Sequence, residues 1–536
     1  MKDQGWLDYT YPSRRMALYG GRGAVGTSQH LAAQAGLEAL RQGGNAVDAA
    51  VTTAACLTVL EPVSTGIGAD AFAIVSTPDG LYGLNASGPS ALRSDAAYLR
   101  SKGWAEMPQD GIYSVTVPGG PAAWEVLTQR FGRRSLAQNL EAAIEYADAG
   151  IVVSPAQYQA MSLAYAKYHP RAVGGQAEFS TWEQAMCPDG VPQPGQRHRL
   201  PAQAASLRSL AEGGAEWFYR GDLADRLDAF SRQYDGFIRA EDLASYQPRW
   251  VEPVSVNYRG YDVWELPPNG QGLVALIALN ILKGFDFEGK DTVDTWHRTI
   301  EAVKLAYADG LAYITDPDYM TVSVDDLLSE AYAAERRALI GPRATMPYPG
   351  APPTGGTVYL NAVDDEGMMV SFIQSLASGE GSGLFVPGTG VALQNRGFSF
   401  TLDQTRANCL QPDKLPFHTI IPGFLTKDGA PVGPFGIMGG TMQPQAHTQV
   451  MMNVLDFAMN PQQALDAPRF RWVSGLEVDV EDMVGPAILQ GLSERGHTIV
   501  ATASDDLYGH GQIIWRAADG FVGGTEPRCD GAMAMY

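Results

Sequence analysis

Thr357 stands directly behind Gly355 and Gly356, at the first position of a stretch that reads as a strand. That is an unusual place for a hydroxyl. The run 346–356 just upstream is rich in proline and glycine and reads as exposed loop. Glycine at 356 leaves its carbonyl unhindered and lets the backbone take strained angles. A cut between Gly356 and Thr357 would put a hydroxyl nucleophile and a free α-amine on one residue. That amine, with an ordinary pKa of about 7.7–8.0, is placed to serve as the base that activates the hydroxyl. The plain alternative is a hairpin that happens to begin with threonine.

Two further features fit amide cleavage. Ser375 ends the strand that should pair with the one opened by Thr357, so its hydroxyl can face the threonine across the ladder; otherwise it is a solvent-facing strand serine. Gly439 and Gly440 follow another strand, and consecutive glycines let two backbone N–H groups point together at a developing oxyanion. Alone, the pair is only a turn. Other chemistries find less support. The eight histidines never fall at the short spacings of a zinc site, so no metal is expected. No G-x-S-x-G elbow is present. Gly21, Gly23 and Gly26 match a dinucleotide fingerprint, but no clean strand precedes them and no acidic residue ends a second strand, so no cofactor is expected.

These residues need a scaffold, and the pattern supplies one. Residues 357–363 and 368–376 read as paired strands about a turn at 364–367. In chain order, Ser28 is expected to cap a helix through 31–40, followed by an apolar, buried helix over 45–60. A hairpin follows at 72–76 and 81–84. Between about 115 and 250 the apolar spacing is helical, at 120–131, 136–149, 204–211, 223–230 and 240–246. Strands return at 251–258 and 261–266, and helices follow from 267 and over 295–312. Strands early and late with helices between predict a layered α+β fold, not alternating βαβ units.

Composition narrows the class of partner. The chain has 536 residues, 45% hydrophobic and 18% charged, which are globular values. A formal charge of −21 argues against nucleic acid or an anionic membrane as partner. No apolar run is long enough for a membrane span, and no apolar leader stands at the N-terminus. Four scattered cysteines make a reduced, cytoplasmic protein the default expectation.

The residues Thr357, Val363, Asp364, Gly367, Val370 and Ser371, followed by Gly381, Ser382, Gly383 and by Leu393, Gln394, Asn395, resemble the start of the small subunit in the gamma-glutamyltranspeptidase family. The run from Gly43 to Ala50, Glu61-Pro62 and the run from Gly66 to Phe72 resemble the start of its large subunit. The resemblance implies an N-terminal nucleophile hydrolase with a four-layer αββα sandwich and a helical lobe. It implies a precursor that cleaves itself ahead of the catalytic threonine. The expected products are an α chain of 1–356 and a β chain of 357–536, intertwined in one domain, with the assembly left open between one such pair and a dimer of them. Ser375 takes the place of a family threonine that orients the nucleophile, and Gly439 with Gly440 takes the place of the oxyanion pair.

Substrate choice departs from the family pattern. Where family members carry an arginine for the substrate α-carboxylate, this chain has Asn85, which cannot form the charged fork. Where an acid should pair with the α-amine, Asn395 and Arg396 appear, and the paired serines correspond to His418 and Thr419. An arginine in place of an acid repels an ammonium and favours a carboxylate. The expectation is therefore an amide of a small acidic acyl group without a free α-amine, as in relatives such as oxamate amidohydrolase and the cephalosporin acylases. Arg396 as a surface strand charge is the plain alternative. A genuine gamma-glutamyl hydrolase or transferase is the first functional alternative, and a non-catalytic binding protein of the same fold is the other.

Overall fold

The computed structural model of the protein describes residue 11 and residues 15–347, 357–503 and 507–536. Gly356 and its bond to Thr357 lie outside the described residues. Among these, two seven-stranded sheets dominate. In chain order their strands are β1 (Leu18–Gly20), β2 (Ala24–Thr27), β3 (Asp70–Thr77), β4 (Gly80–Ala86), β5 (Arg249–Val251), β6 (Val254–Tyr258) and β7 (Tyr261–Glu265). Then come β8 (Val358–Val363), β9 (Met369–Ser375), β10 (Gly423–Lys427), β11 (Ala430–Met438), β12 (His510–Ala517), β13 (Gly520–Thr525) and β14 (Ala532–Met535). One sheet runs β1-β13-β12-β11-β10-β7-β6 and the other β14-β2-β8-β9-β3-β4-β5, and every pairing is antiparallel.

The sheets stack face to face. Phe72, Ile74, Tyr359, Ile373, Phe424 and Ile514 fill the space between them. Helices His30–Arg41 and Ala46–Leu60 cover the outer face of the sheet that contains β8. Helices Gly272–Leu282, Val293–Tyr313 and Met442–Leu455 cover the outer face of the other. This is the four-layer αββα sandwich expected from the sequence. Each large apolar side chain fully buried in these layers contributes about 1.5–3 kcal/mol relative to exposure.

Burial explains the local patterns. Ala46–Leu60 has no polar stripe because the sheet lies on one side and lobe helices Gly120–Phe131 and Leu136–Ala149 on the other, so all fifteen residues are buried. It begins with a capping box between Asn45 and Asp48. Strand β8 is buried on both faces, so no apolar–polar alternation marks it. The first helix is capped by Gln29, whose side-chain oxygen accepts from the N–H groups of Leu31 and Ala32, and not by Ser28 as expected. The lobe also contains a helix the spacing did not predict, Pro155–Val173, started by a Ser154–Gln157 capping box with proline at its first position. Among the described residues no helix is long and apolar enough to cross a membrane.

The strands on either side of residue 357 interleave. Strand β8 lies between β2 and β9, β9 pairs with β3, and β10 pairs with β7. In this register Ser375 sits opposite Asp70.

Candidate active site

Thr357 is fully buried at the head of β8. Its hydroxyl donates to Ser375 Oγ at 3.2 Å, and Ser375 Oγ also accepts from the N–H of Ala377 at 2.8 Å. The strand pairing brings these hydroxyls together, as the sequence predicted. A second group reaches the threonine from another layer: Gln443 Nε2 lies 3.5 Å from Thr357 Oγ1. Gln443 belongs to the first turn of helix Met442–Leu455, and its carbonyl oxygen accepts from the N–H of Ile421. The positive end of that helix therefore faces the Thr357 hydroxyl.

Between β11 and this helix lie Gly439 (φ +136°) and Gly440 (φ +59°), conformations that favour glycine. A Cβ on Gly439 would come within 3.0 Å of Gly509 Cα. Their carbonyls are turned away into the helix start: Gly439 accepts from the N–H of Met442 and Gly440 from that of Gln443. Gln271 Nε2 also donates to the Gly440 carbonyl at 2.8 Å and to the Thr419 carbonyl, tying the glycine turn to the next part of the site.

That part is a cluster of fully buried polar groups. Arg396 Nη1 donates to Thr419 Oγ1 at 2.6 Å, while Nε and Nη2 have no hydrogen-bond partner. Arg396 is wholly inaccessible, so it is not a surface strand charge. Burial lowers its pKa to about 10, against the pull of Asp70, and it stays a cation near neutrality. Asp70 is the surprise. The sequence segment around Asn395 supplies no acid, yet β3 brings Asp70 Oδ2 to 3.8 Å from Arg396 Nε and 3.0 Å from His418 Nε2. His418 Nδ1 faces the N–H of Ile420 at 3.4 Å and so accepts, which leaves the proton on Nε2 to be donated to Asp70. Burial, then Arg396, push the His418 pKa well below its usual value, so the ring is neutral. Burial also pushes Asp70 up to about 7, with Arg396 pulling the other way.

Asn85 and Asn395 sit behind this cluster. Asn85 donates to Asn269 Oδ1 at 2.9 Å and accepts from the N–H and hydroxyl of Ser87, while the Asn269 carbonyl accepts from the N–H of His418. Asn395 Oδ1 accepts from the N–H of Ser378, and its Nδ2 donates to Ser378 Oγ and the Gln109 carbonyl. Both brace the walls. Beside the glycine turn, a cavity of about 590 Å³ is bounded in part by Met438, His510, Ser64, Glu61 and Gln29, and includes neither Thr357 nor Arg396. Asp70, Gln271 and Gln443 were not singled out from sequence. The one available signal was an aspartate inside the apolar run from Gly66 to Phe72.

The fold also gathers a group that sequence spacing hides. Donor atoms of His297, Glu301 and His497 all lie within 4.8 Å of one another. A lysine already supplies the positive charge there: Lys304 Nζ is 2.6 Å from Glu301 Oε1. His297 faces the Gly341 carbonyl through Nε2 and His497 through Nδ1, and Glu301 accepts from the N–H of Thr345. These bonds fasten residues 341–345, more than ten residues ahead of Thr357, and leave the set better read as a structural clamp than as a metal site.

Comparison with known proteins follows the same lines. The family model described as Gamma-glutamyltranspeptidase matches residues 32–536. The glutathione hydrolase-like YwrD proenzyme of Bacillus subtilis (strain 168) is 36% identical over 532 residues, covering 95% of this chain and 99% of the relative. The oxamate amidohydrolase proenzyme of Klebsiella pneumoniae is 34% identical over 527 residues, covering 95% and 97%. Among solved structures, the cephalosporin acylase from Bacillus halodurans superposes with a TM-score of 0.95 at 51% identity, covering 100% of this chain and 99% of that one.

Proposed function

The chain belongs to the gamma-glutamyltranspeptidase family, and from that premise we propose that it is a self-processing amide hydrolase with Thr357 as its nucleophile. The observation that carries this reading is the buried Thr357 hydroxyl, set between Ser375 Oγ and Gln443 at the start of the helix that follows Gly439 and Gly440. The names of the relatives, proenzymes among them, support a precursor that divides into chains 1–356 and 357–536.

In the processed protein the Thr357 α-amine accepts the proton of its own hydroxyl as Oγ attacks the amide carbonyl. The carbonyl oxygen gains negative charge and is met by the N–H groups of Gly439 and Gly440 at the positive end of the helix. The α-amine then passes its proton to the departing amine, leaving the acyl group as an ester on Thr357. Water, deprotonated by the same amine, cleaves that ester. The acyl group is a small one ending in a carboxylate, held by the Nε and Nη2 donors of Arg396, with Thr419 fixing the guanidinium. The oxamate amidohydrolase and cephalosporin acylase among the relatives support this substrate class.

A second reading has an observation in its favour. Asp70 beside Arg396 offers an acceptor for an α-ammonium next to a carboxylate, the arrangement a gamma-glutamyl group needs. Turnover of glutaryl and gamma-glutamyl anilides by the processed protein separates the two: faster release from the glutaryl substrate supports the acidic acyl class, and faster release from the other supports gamma-glutamyl transfer or hydrolysis. Intact mass tests the nucleophile. The parent should give two fragments split at Gly356–Thr357, and Thr357→Ala one chain of 57.5 kDa. A single uncut chain in both would sink the enzyme reading in favour of a binding protein of this fold.

A further inference from the structure

Asp70 is a buried acid that the hydrolytic steps above do not use. Its Oδ2 accepts from His418 Nε2 and faces Arg396 Nε, and the backbone N–H groups of Gly88 and Gly119 also face the carboxyl and favour its ionised form, while Oδ1 makes no hydrogen bond of ordinary geometry. The groups that face it come from several elements. Arg396 and His418 touch it; Tyr219 and Tyr246 of the helical lobe lie near enough to sense its charge. The α-amine that processing frees on Thr357 would stand one strand pair away, beside Ser375. Among the described residues in this cluster Arg396 is the fixed cation, and Tyr219, Tyr246 and His418 are neutral near pH 7 because burial opposes their charged forms.

One guanidinium cannot neutralise two carboxylates. A substrate carboxylate accepting from Arg396 Nε and Nη2 would arrive on the edge of the guanidinium that Asp70 already faces. Two ionised carboxylates crowded into a site closed to water repel strongly, and one of them takes a proton. The substrate carboxylate would hold the two-point contact, whereas Asp70 has only a 3.8 Å approach to Nε. Asp70 is therefore the one to be protonated, on Oδ1, because Oδ2 accepts from His418.

Resting on the assignment of Arg396 to the acyl carboxylate, we propose that Asp70 is a specificity-determining residue that takes up one proton each time a carboxylate-ended acyl group binds. The balance is simple: ionised Asp70, the substrate anion and one proton from solvent give a neutral Asp70 beside the bound anion. Burial already brings Asp70 to about 7, so the uptake costs little near neutrality and more as the pH rises. An acyl group bearing an ammonium beside its carboxylate would need Asp70 ionised and would take up no proton there. The residue thus sets which acyl charge pattern the pocket favours at alkaline pH.

The test uses the processed protein and glutarate as the probe. Calorimetric titration at pH 8 in two buffers of different ionisation enthalpy should show about one proton taken up per glutarate bound. The inhibition constant for glutarate should be flat below about pH 7 and rise about tenfold per pH unit above it. Asp70→Asn should bind glutarate without that uptake and with a flat profile; Asp70→Ser serves if the first variant does not fold. Binding by the parent with no proton uptake, or the same uptake in the Asp70 variants, overturns the role of Asp70 while leaving Arg396 in place. A different result, glutarate bound equally well by Arg396→Gln, removes the carboxylate assignment itself and this proposal with it.

Discussion

The hydroxyls of Thr357 and Ser375 lie 3.2 Å apart across two antiparallel strands, eighteen residues from each other along the chain. Ser375 Oγ is itself anchored by the Ala377 N–H, so it holds the threonine hydroxyl in one rotamer. Replacing Ser375 by alanine should lower kcat on the order of 10-fold with little change in KM, the loss of one orienting hydrogen bond worth about 0.5–1.5 kcal/mol. Ser375→Thr, which restores a hydroxyl, should stay near the parent. Initial rates on a single anilide substrate decide it; parental kcat in the alanine variant would mean the contact is incidental.

The two unpartnered donors of Arg396 lead to a prediction about binding. Arg396→Gln should raise KM for a glutaryl anilide by about 10- to 100-fold, as befits lost charge-assisted bonds of about 1.5–3 kcal/mol. A butyryl anilide, which is the glutaryl group stripped of its terminal carboxylate, should show no such rise. Arg396→Lys should recover only part of the loss, since an ammonium lacks the planar fork. Equal effects on both substrates would point to damage of the fold instead.

Gly439 combines a φ of +136° with a Cβ position only 3.0 Å from Gly509 Cα. Gly439→Ala must move the turn that presents the N–H groups. Expected is a fall in kcat of about 10²-fold, the usual scale for a disturbed oxyanion site, with KM nearly unchanged. Slower appearance of the two fragments on a denaturing gel should accompany it. A variant with parental kcat would place the oxyanion elsewhere.

A stability prediction comes from the buried ion pairs beside the glycine turn, where Arg469 donates to the Gly509 carbonyl. Glu526 is fully buried; burial opposes its charge, but Arg469 and Arg528 prevail and hold its pKa at about 2, down from 4.5. A carboxylate whose folded pKa is depressed stabilises the protein fully above its unfolded value and progressively less as the pH falls through the folded one. Urea unfolding midpoints of the parent should therefore drop between about pH 4.5 and 2. Glu526→Gln should be less stable at pH 7 and lose less over that interval. Parallel curves for the two proteins would contradict the assignment.

The layered α+β character and the pairing of Thr357 with Ser375 were legible because they are written locally, whereas the four-layer order came from the family resemblance. Thr357 with its hairpin and the glycine pair each lie within a few residues, but alone they read as a hairpin start and a turn until the family resemblance is set beside them; Ser375 follows from the pairing of adjacent strands. The polar cluster around Arg396 was only half legible. Arg396, His418 and Thr419 could be set beside a family pattern, but Asp70 meets Arg396 and His418 only across a long separation in the chain, once β3 pairs with β9. Gln271 and Gln443 were missed for a similar reason: each is one amide among many until three layers close around it. Helix Pro155–Val173 escaped because its lobe surface is largely exposed, with few buried positions to set a periodicity. Expecting Ser28 as the cap ignored that glutamine can reach the same N–H groups.

The interleaving of β8 between β2 and β9, and of β10 beside β7, bears on what a cut ahead of Thr357 does to the molecule as a folding system. Each sheet would then be woven from two polypeptides. Once denatured, the processed protein could regain its sheets only by collision of those polypeptides, so its recovery should slow and fail on dilution, whereas the uncut Thr357→Ala chain should refold at a rate independent of concentration. The same bond that frees the amine would make the active enzyme a product of its precursor's folding, easier to keep than to rebuild.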